Sequence, residues 1–356
     1  MPRSNSSSPR VVSLLPSATE LLCAVSGPDW QDLLVGRSHE CDYPAGLNHI
    51  PILTAPRITA TDPREIDAQV RAALQSSANS PSPDDQGTAA PSSSSGGGQS
   101  LYALFADKLA ALAPDIILTQ DLCEVCSIDL NTVRRVAAGL PKQPKIVSLN
   151  PKTVEDVFDD CLKVAEAIGR PQRGIEVVVD LRGRLYEASE FVNPYDDGPV
   201  MAFLEWTDPL FCAGHWTVQL IERAGCRHPF NPTNIRVRAH GASVGAAAGP
   251  QQGERVAGMS VRMPAEVLEA AQPEYLVICP CGMNLEQAKR CTQAMAANTW
   301  WNNLPAVRKG QVAIVDGNQM FNRPGPRLVD AYEWLVGWTQ GRPELIPRGF
   351  PWELWS

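Results

Sequence analysis

Short apolar runs typical of buried strands alternate with amphipathic helical segments through both halves of the 356-residue chain. Strands that alternate with helices favour mostly parallel sheets with helices on both faces. The longest helical pattern, Lys152–Val192, stands between the halves and is broken at Gly169–Pro171. The sequence therefore predicts an α/β fold with lobes at residues 10–150 and 197–345, bridged by one long or kinked helix at 151–193, with a cleft between the lobes.

The element boundaries follow from apolar periodicity and from turn residues. Ser17 and Glu20 have the S-x-x-E spacing of a capping box and predict a helix running to Ser26. The predicted strands are Val11–Leu15, Leu33–Gly36, an extended Ile50–Thr54, Asp115–Gln120, Lys145–Leu149, Val200–Trp206, Glu274–Cys281 and Val312–Asp316. The other predicted helices are Pro63–Gln75, Ser100–Leu112, Asp129–Gly139, Trp216–Ala224, Pro264–Ala271, Leu285–Asn298 and Arg327–Thr339.

Three segments fall outside this alternation. Residues 79–99 are rich in Ser, Pro and Gly and predict a disordered insertion, and a Gly/Ala-rich stretch at about 238–258 predicts a flexible one. The C-terminal tail, residues 346–356, carries Phe350 and two tryptophans, which could fold back as an apolar clamp or serve as a partner motif.

Charge and hydropathy limit the function classes. The net charge of −8 and the lack of a Lys/Arg run argue against a nucleic-acid surface. No run of about 18 apolar residues is present, and the N-terminus has no apolar core of a secretory signal. We therefore expect a cytoplasmic or organellar protein without a membrane span, whose cysteines are mostly reduced.

Six of the ten cysteines stand at the ends of predicted strands. In open α/β sheets, ligands bind outside the carboxyl ends of the strands, so these thiols are expected to meet at a ligand site. They are Cys41, Cys123, Cys126, Cys212, Cys279 and Cys281.

Two of these cysteine pairs have informative spacing. Cys123 and Cys126 form a C-x-x-C that could be a redox pair, half of a metal site, or two small residues in a tight turn. Cys279 and Cys281 flank a proline in an extended segment, where residues two apart project to one face. Gly282 then frees the backbone to turn into the next helix.

Other polar and aromatic residues accompany the thiols. His39 and Cys41 share a loop and suit zinc, iron or cobalt. Trp206 and Trp216 flank acids and His215, which is typical of a wall for a planar ligand. The predicted metal ligands are His39, Cys41, Cys123, Cys126, Cys212, His215, Cys279 and Cys281. The predicted ligand-binding residues are Pro16, Ser17, Tyr43, Glu205, Trp206, Asp208, Trp216, Gly282 and Arg323.

Several of these motifs carry a family resemblance. The opening VSLLPSATE with LVGR resembles the substrate-binding proteins of ABC importers for cobalamin and iron–siderophores, as do APDII and VSL further on. SHECDYP, TQDLCEVC, EWTDPLF with CAGHW, PCG and NRPGPR are similar to a subgroup labelled cobalamin-binding protein. The resemblance covers nearly the whole chain apart from the two insertions.

The resemblance implies two Rossmann-like lobes bridged by a rigid helix, the class III or helical-backbone metal receptor type, with a ligand in the cleft. In such importers, surface glutamates contact arginines of the permease, and Glu20 lies in the matching first-helix motif. The implied ligand is cobalamin or another corrinoid, and the implied partner is an ABC permease.

Three functions follow for testing. The first is non-enzymatic binding of a corrinoid or related metal chelate. The second is a thiol-rich site for a transition metal such as Zn, Fe or Co, which could be catalytic. The third is a metal-free thiol enzyme with Cys123 or Cys281 as nucleophile near His39 or His215. The residues favour a binding role over an enzymatic one.

Overall fold

A computed structural model describes most of the chain as two compact units. Unit 1 lies within Met1–Asn150 and Lys163–Arg170, and unit 2 lies within Pro151–Leu162 and Pro171–Ser356. The described residues are 8–78, 101–121, 128–193, 197–236 and 254–356. The insertion predicted at 79–99 falls outside them, as does most of the one at 238–258.

The main sheet of unit 1 is fully parallel. Its strand order is β2-β1-β5-β6, so the chain leaves β1 toward one edge and later returns to β1's other side. Apolar side chains such as Val12 and Ile117 are completely buried, as expected for strands covered on both faces. The strands are β1 Val11–Ser13, β2 Leu34–Arg37, β5 Ile116–Thr119 and β6 Lys145–Ser148.

A short antiparallel pair accompanies this sheet. Strand β3, Thr54–Pro56, pairs with β4, Tyr102–Leu104. The helix predicted to begin at Ser100 was therefore wrong in its first turn: these residues form a strand because they find a partner in β3. The helices of unit 1 are α1 Pro16–Ser26, α2 Trp30–Leu33, α3 Pro63–Ala78, α4 Ala106–Leu112 and α5 Leu130–Ala138.

Helix α1 begins differently from the prediction. Its N-cap is Leu15 without a side-chain cap, Pro16 occupies the first turn, and Ser17 and Glu20 lie inside the helix, both buried. Proline suits this position because it lacks the N–H that the first turn cannot pair. The capping box predicted from Ser17 and Glu20 is therefore not formed.

The long helical pattern in the middle of the chain forms two helices, α6 Val154–Ala167 and α7 Pro171–Ser189. Gly169, between them, has a φ of 75°. Glycine adopts this left-handed conformation at little cost, and proline cannot donate to the preceding turn. The interruption that the sequence marked at Gly169–Pro171 is thus a helix end rather than a kink.

The six-stranded sheet of unit 2 has the order β11-β8-β7-β12-β13-β14. Strands β7, β12 and β13 are parallel, whereas β8, β11 and β14 join antiparallel at the two edges. The α/β prediction is confirmed, but periodicity did not predict these short edge strands. The strands are β7 Met201–Thr207, β8 Leu210–Cys212, β11 Val261–Arg262, β12 Tyr275–Ile278, β13 Val312–Val315 and β14 Trp352–Leu354, with a separate pair β9 Asn234–Arg236 and β10 Glu254–Val256.

Four helices of unit 2 follow the predicted segments closely, whereas the short α11 was not predicted. Asn284 caps α10 through a capping box with Gln287, which fixes where that helix begins. The helices are α8 His215–Arg223, α9 Ala265–Ala270, α10 Leu285–Ala296, α11 Pro305–Arg308 and α12 Leu328–Thr339.

The C-terminal tail folds back onto unit 2. Trp352 pairs with Val315 at the start of β14, and Phe350 stacks on the buried Trp334 with ring centroids 5.2 Å apart. Aromatic pairs of this kind bury a large apolar area. Of the two roles considered for the tail, the fold-back is the one that the structure shows.

Gly317, just after β13, tests how closely the segments that follow β12 and β13 approach each other. A Cβ at Gly317 would lie 1.8 Å from the carbonyl oxygen of Pro280, which is backbone and cannot move aside. We expect Gly317→Ala to destabilise the protein by about 1–3 kcal/mol, the usual cost of overpacking. Thermal and urea unfolding measure the change.

The matched control is Gly183→Ala on the exposed face of α7, where an added Cβ would meet nothing within 4 Å. Alanine in a helix interior is better than glycine by about 1 kcal/mol, so this variant should be as stable as the parent or more so. Equal stability of the two variants would contradict the close approach at Gly317.

Candidate functional site

In unit 1 the predicted ligand residues lie at the carboxyl ends of the parallel strands. Pro16 and Ser17 begin α1 three residues after β1 ends, and His39 follows β2 by two residues. The strand order reverses between β1 and β5, and ligands bind at such switch points in open α/β sheets. The topology thus supports this edge as a candidate site.

The loop after β2 is held by one buried arginine. Arg37 donates from Nη1 to the carbonyl oxygens of Ser38, at 3.1 Å, and Cys41, at 2.9 Å, and from Nε to that of Leu47, at 3.2 Å. These bonds fix the loop backbone from within. Tyr43 lies on this loop with 44% of its surface exposed.

The imidazole of His39 is held in one orientation. Its backbone N–H donates to Thr54 Oγ1 at 3.0 Å, and its Nδ1 lies 2.6 Å from the same oxygen. The ring also packs on Tyr102 with centroids 5.2 Å apart, and the Tyr102 hydroxyl donates to Glu40. Desolvation, together with the nearby charge of Arg37, lowers the pKa of His39 below its ordinary value.

Two other predicted residues of unit 1 are placed differently from expectation. Cys41 is buried, with Sγ 3.0 Å from the Thr19 hydroxyl, so the thiol is part of a polar network in the interior. Glu20 was expected at the surface as a partner contact, but only 3% of its surface is exposed. A carboxylate this buried is not placed to meet an arginine of another protein.

In unit 2 the ends of three parallel strands are joined by main-chain hydrogen bonds. The N–H of Cys281 donates to the carbonyl of Glu205 at 3.0 Å, and that of Gly282 donates to the carbonyl of Gly317 at 3.1 Å. Gly317 in turn donates to the carbonyl of Met283 at 2.8 Å. Gly282, with a φ of 75°, makes the turn that the sequence predicted.

The side chain of Glu205 anchors the neighbouring segments. One carboxylate oxygen accepts from the Gly214 N–H at 3.2 Å, and the other accepts from the Ser260 hydroxyl. Gly214 must be glycine here, since a Cβ would lie 2.3 Å from the Ser260 nitrogen. Glu205 therefore positions the start of α8 rather than standing free for a ligand.

The two predicted tryptophans are half-buried, with their N–H groups engaged inside unit 2. Trp206 donates to the carbonyl of Asp208 at 3.2 Å, and Trp216 donates to that of Phe321 at 2.7 Å. Because each indole N–H is hydrogen-bonded, the orientation of each ring is fixed. Such rings can present a flat apolar surface to a planar ligand.

His215 begins α8 with a left-handed φ of 47°, and its ring stacks on Trp216 with centroids 5.5 Å apart. Its Nδ1 is buried without a hydrogen-bond partner among the described residues. Desolvation and the charge of Lys152 lower the pKa of His215. Strained backbone and an orphaned polar atom in one residue are typical of functional sites.

Cys279 and Cys281 differ in their surroundings. Strand β12 ends at Ile278, so the extended segment predicted to carry both thiols is shorter than expected. Cys279 is fully buried and its sulfur lies 3.5 Å from the Asn322 amide, whereas Cys281 is half-buried. Burial, with the charge of Glu205 next, raises the pKa of Cys279 well above its ordinary value.

Cys212 and Arg323 are also interior residues. Cys212 is fully buried at the end of β8, and desolvation is the main cause that raises its pKa. Arg323 follows a turn at Met320–Asn322 with 7% of its surface exposed. Neither is open to solvent as a free ligand group would be.

The predicted thiol-rich metal centre is not formed by the described part of the chain. Within residues 8–78, 101–121, 128–193, 197–236 and 254–356, no three His, Cys, Asp or Glu side chains are grouped to hold a metal. Cys123 and Cys126 lie outside the described residues.

Sequence reasoning missed the residues that support these candidates. Thr54 holds His39, Tyr102 packs on its ring, Ser260 bonds Glu205, and Asn322 reaches the sulfur of Cys279. Asn322 is the first residue of the NRPGPR motif and could have been selected there. The others are distant in sequence from the residues they hold, so no local pattern marks them.

The fold is that of the periplasmic binding proteins of the vitamin B12 and heme type, class III of the substrate-binding proteins. The sequence itself matches no protein-family model and no curated protein. The resemblance seen in the motifs therefore has support at the level of fold.

Three similar solved structures illustrate the match. The periplasmic vitamin B12 binding protein BtuF of Vibrio cholerae has a TM-score of 0.57 at 16% identity, covering 95% of this chain and 99% of that one. A periplasmic heme-binding protein from Pseudomonas aeruginosa has 0.60 at 18%, covering 94% and 93%. An ABC transporter substrate-binding protein from Listeria monocytogenes has 0.58 at 14%, covering 93% and 98%.

These comparisons correct the expected location. The similar structures include proteins described as periplasmic, so the prediction of a cytoplasmic or organellar protein is wrong. The expected location was inferred from the composition of the first residues, whereas the correction comes from the fold. Among the described helices, none combines the length and apolar character needed to cross a membrane.

Burial predicts which thiols react. Each unit by which a pKa is raised lowers the thiolate population about tenfold, and only the thiolate reacts with iodoacetamide. We expect Cys281 to be alkylated well before Cys279 and Cys212 in the native protein, as followed by peptide mass spectrometry. Denatured protein is the control, in which all three should react alike. Native labelling of Cys279 as fast as Cys281 would contradict the burial described here.

Proposed function

We propose that the protein is a non-enzymatic, extracytoplasmic binding protein for a metal chelate with a large planar ring, a cobalamin-like corrinoid or a heme. The observation that carries this proposal is the fold, which is shared over more than nine-tenths of this chain with binding proteins for vitamin B12 and heme. By analogy with the ABC transporter substrate-binding protein among these structures, its partner would be an ABC permease. Fold analogy alone does not fix function, so the residues must support it.

Aromatic residues of unit 2 support a planar ligand. Trp206 and Trp216 are half-buried at the carboxyl end of β7 and the start of α8, and their N–H groups are already bonded within the protein. The rest of each side chain is an apolar ring, and that of Trp216 stacks on His215. Stacking on such rings contributes about 0.5–1.5 kcal/mol per pair beyond the area buried.

His39 of unit 1 supports a ligand that contains a metal. A ligating histidine normally has its other nitrogen held by a neighbouring group, which fixes the ring. The Nδ1 of His39 is held by Thr54, and its lowered pKa favours the neutral imidazole that metals require. Imidazole binds iron well and is a borderline ligand suited to cobalt.

Titration of the purified protein with cyanocobalamin and with hemin, followed by absorbance, tests the ligand class. We expect micromolar or tighter binding of one of them and a loss of about tenfold, or about 1.4 kcal/mol, in Trp216→Ala. Trp355→Ala is the matched control, because Trp355 bonds Val312 at the opposite, amino end of β13. Failure of both ligands to bind, or equal losses in the two variants, would count against the proposal.

The role of His39 has a spectroscopic test. We expect His39→Gln to change the absorption spectrum of the bound chelate and to weaken binding, because the metal loses its imidazole ligand. In the parent, the lowered pKa of His39 means that ligation should persist as pH falls below about 6.5, the ordinary value, and be lost only at lower pH. His49→Gln is the control, since His49 is exposed on the same loop region. An unchanged spectrum in His39→Gln would exclude this role.

A further inference from the structure

A buried histidine lies in the loop between α8 and β9. His228 has 2% of its surface exposed, and its Nδ1 lies 3.0 Å from the carbonyl oxygen of Met201. Because a carbonyl oxygen can only accept, Nδ1 carries the proton of the neutral ring and Nε2 carries none. Nε2 is buried and has no hydrogen-bond partner among the described residues. The surroundings therefore suit a neutral imidazole, and a second ring proton, on Nε2, would lack an acceptor among them.

The charged groups around His228 do not offset this burial. Glu222 of α8 is the acidic residue whose charge reaches the imidazole, but its carboxylate already accepts from Thr233 and from Arg255 of β10. The contact from β7 is a main-chain carbonyl without net charge, and the guanidinium of Arg227, next in the chain, donates to another such carbonyl. Desolvation is the largest effect and lowers the pKa of His228 to about 4.

Three residues further on, Asn231 ties the same loop to the start of α8. Its amide nitrogen lies within hydrogen-bonding distance of three carbonyl oxygens, those of Ala213 at 3.0 Å, Gly258 at 3.3 Å and Met259 at 2.9 Å. The Gly258 carbonyl also accepts from the N–H of His215 at 2.8 Å, where α8 begins. The loop thus holds the first turn of α8 through one side chain.

We propose that His228 and Asn231 form an acid-sensitive latch, in which protonation of His228 opens the loop, frees the start of α8 and weakens ligand binding. This inference rests on the proposed function, because the residues that the open loop would misplace are His215 and Trp216. A proton from solvent adds to Nε2 of His228. The resulting cation is costly inside the closed loop, where Nε2 has no acceptor among the described residues, and is solvated by water when the loop opens.

The direction of the pH dependence follows from two pKa values of His228. The pKa is about 4 in the closed loop and has its ordinary value of about 6.5 in the open loop, so the open state binds more protons between these values. The closed loop keeps its full stability above about pH 6.5 and loses stability as the pH falls toward about 4. From about pH 7.5 to about pH 5, the opening equilibrium should rise about thirtyfold.

Amide hydrogen exchange of the ligand-free, full-length protein tests the latch. The exchange rate of the N–H at residue 215, corrected for its intrinsic pH dependence, reports the opening. We expect it to rise about thirtyfold over this pH range in the parent and less than about threefold in His228→Asn, whose amide can still donate to the Met201 carbonyl but cannot be protonated.

His215→Asn is the control for the exchange measurement, because it removes the other nearby imidazole with a lowered pKa. Asparagine tolerates the left-handed φ of 47° at this position, so the backbone N–H should keep its place. The rise at residue 215 should match that of the parent. A rise that is absent from the parent, or that is as large in His228→Asn, overturns the latch.

Ligand binding extends the test. The affinity for cyanocobalamin or hemin, whichever binds in the titration described above, should fall more steeply with decreasing pH in the parent than in His228→Asn. Equal pH dependence in the two proteins overturns the role of the latch in ligand release. Circular dichroism near neutral pH confirms that each variant is folded, and His228→Gln repeats both measurements with a second neutral side chain. The exchange measurement uses no chelate, so failure of the latch is distinguishable from failure of the proposed function.

Discussion

Main-chain hydrogen bonds across the ends of β7, β12 and β13 are the constraint on which the candidate site of unit 2 depends. They tie Cys281 to Glu205 and Gly282 to Gly317, and Gly317 approaches Pro280 too closely for any side chain. Residues from three distant parts of the chain thereby share one edge of one sheet. The aromatic residues and thiols of that edge take their positions from backbone contacts, not from bonds among themselves.

The predictable part of this protein was the part governed by periodicity. Buried parallel strands such as β5 and β12 read as short apolar runs, and helices such as α5 and α10 carry their caps in the sequence. Strands β8 and β14 were missed because three-residue strands are defined by their partner strands and have no pattern of their own. The first turn predicted for the helix at Ser100 failed for the same reason, since pairing with β3 decided its structure.

The predicted site residues stay predictions, and the surroundings of several of them differ from what the sequence led us to expect. Of the described cysteines, Cys41, Cys279 and Cys281 follow parallel strands, whereas Cys212 ends an antiparallel strand and pairs with Leu204 inside β7. Cys41, Cys212 and Cys279 are interior thiols. The core also ends where a strand ends. A cysteine at that point can be a small apolar core residue or a metal ligand, and the sequence alone does not distinguish the two. Thr54 and Ser260, which position His39 and Glu205, could not have been chosen because their roles arise only in the folded chain.

The buried guanidinium of Arg37 has a consequence for how the loop after β2 can change in sequence. All three of its loop contacts are to carbonyl oxygens, those of Ser38, Cys41 and Leu47, which every amino acid supplies. These three bonds thus do not depend on which side chains the loop carries. The residues at positions 39 and 43 can therefore be exchanged while these three hydrogen bonds stay in place. Arginine at position 37 therefore allows the loop to change its side chains without losing these backbone contacts.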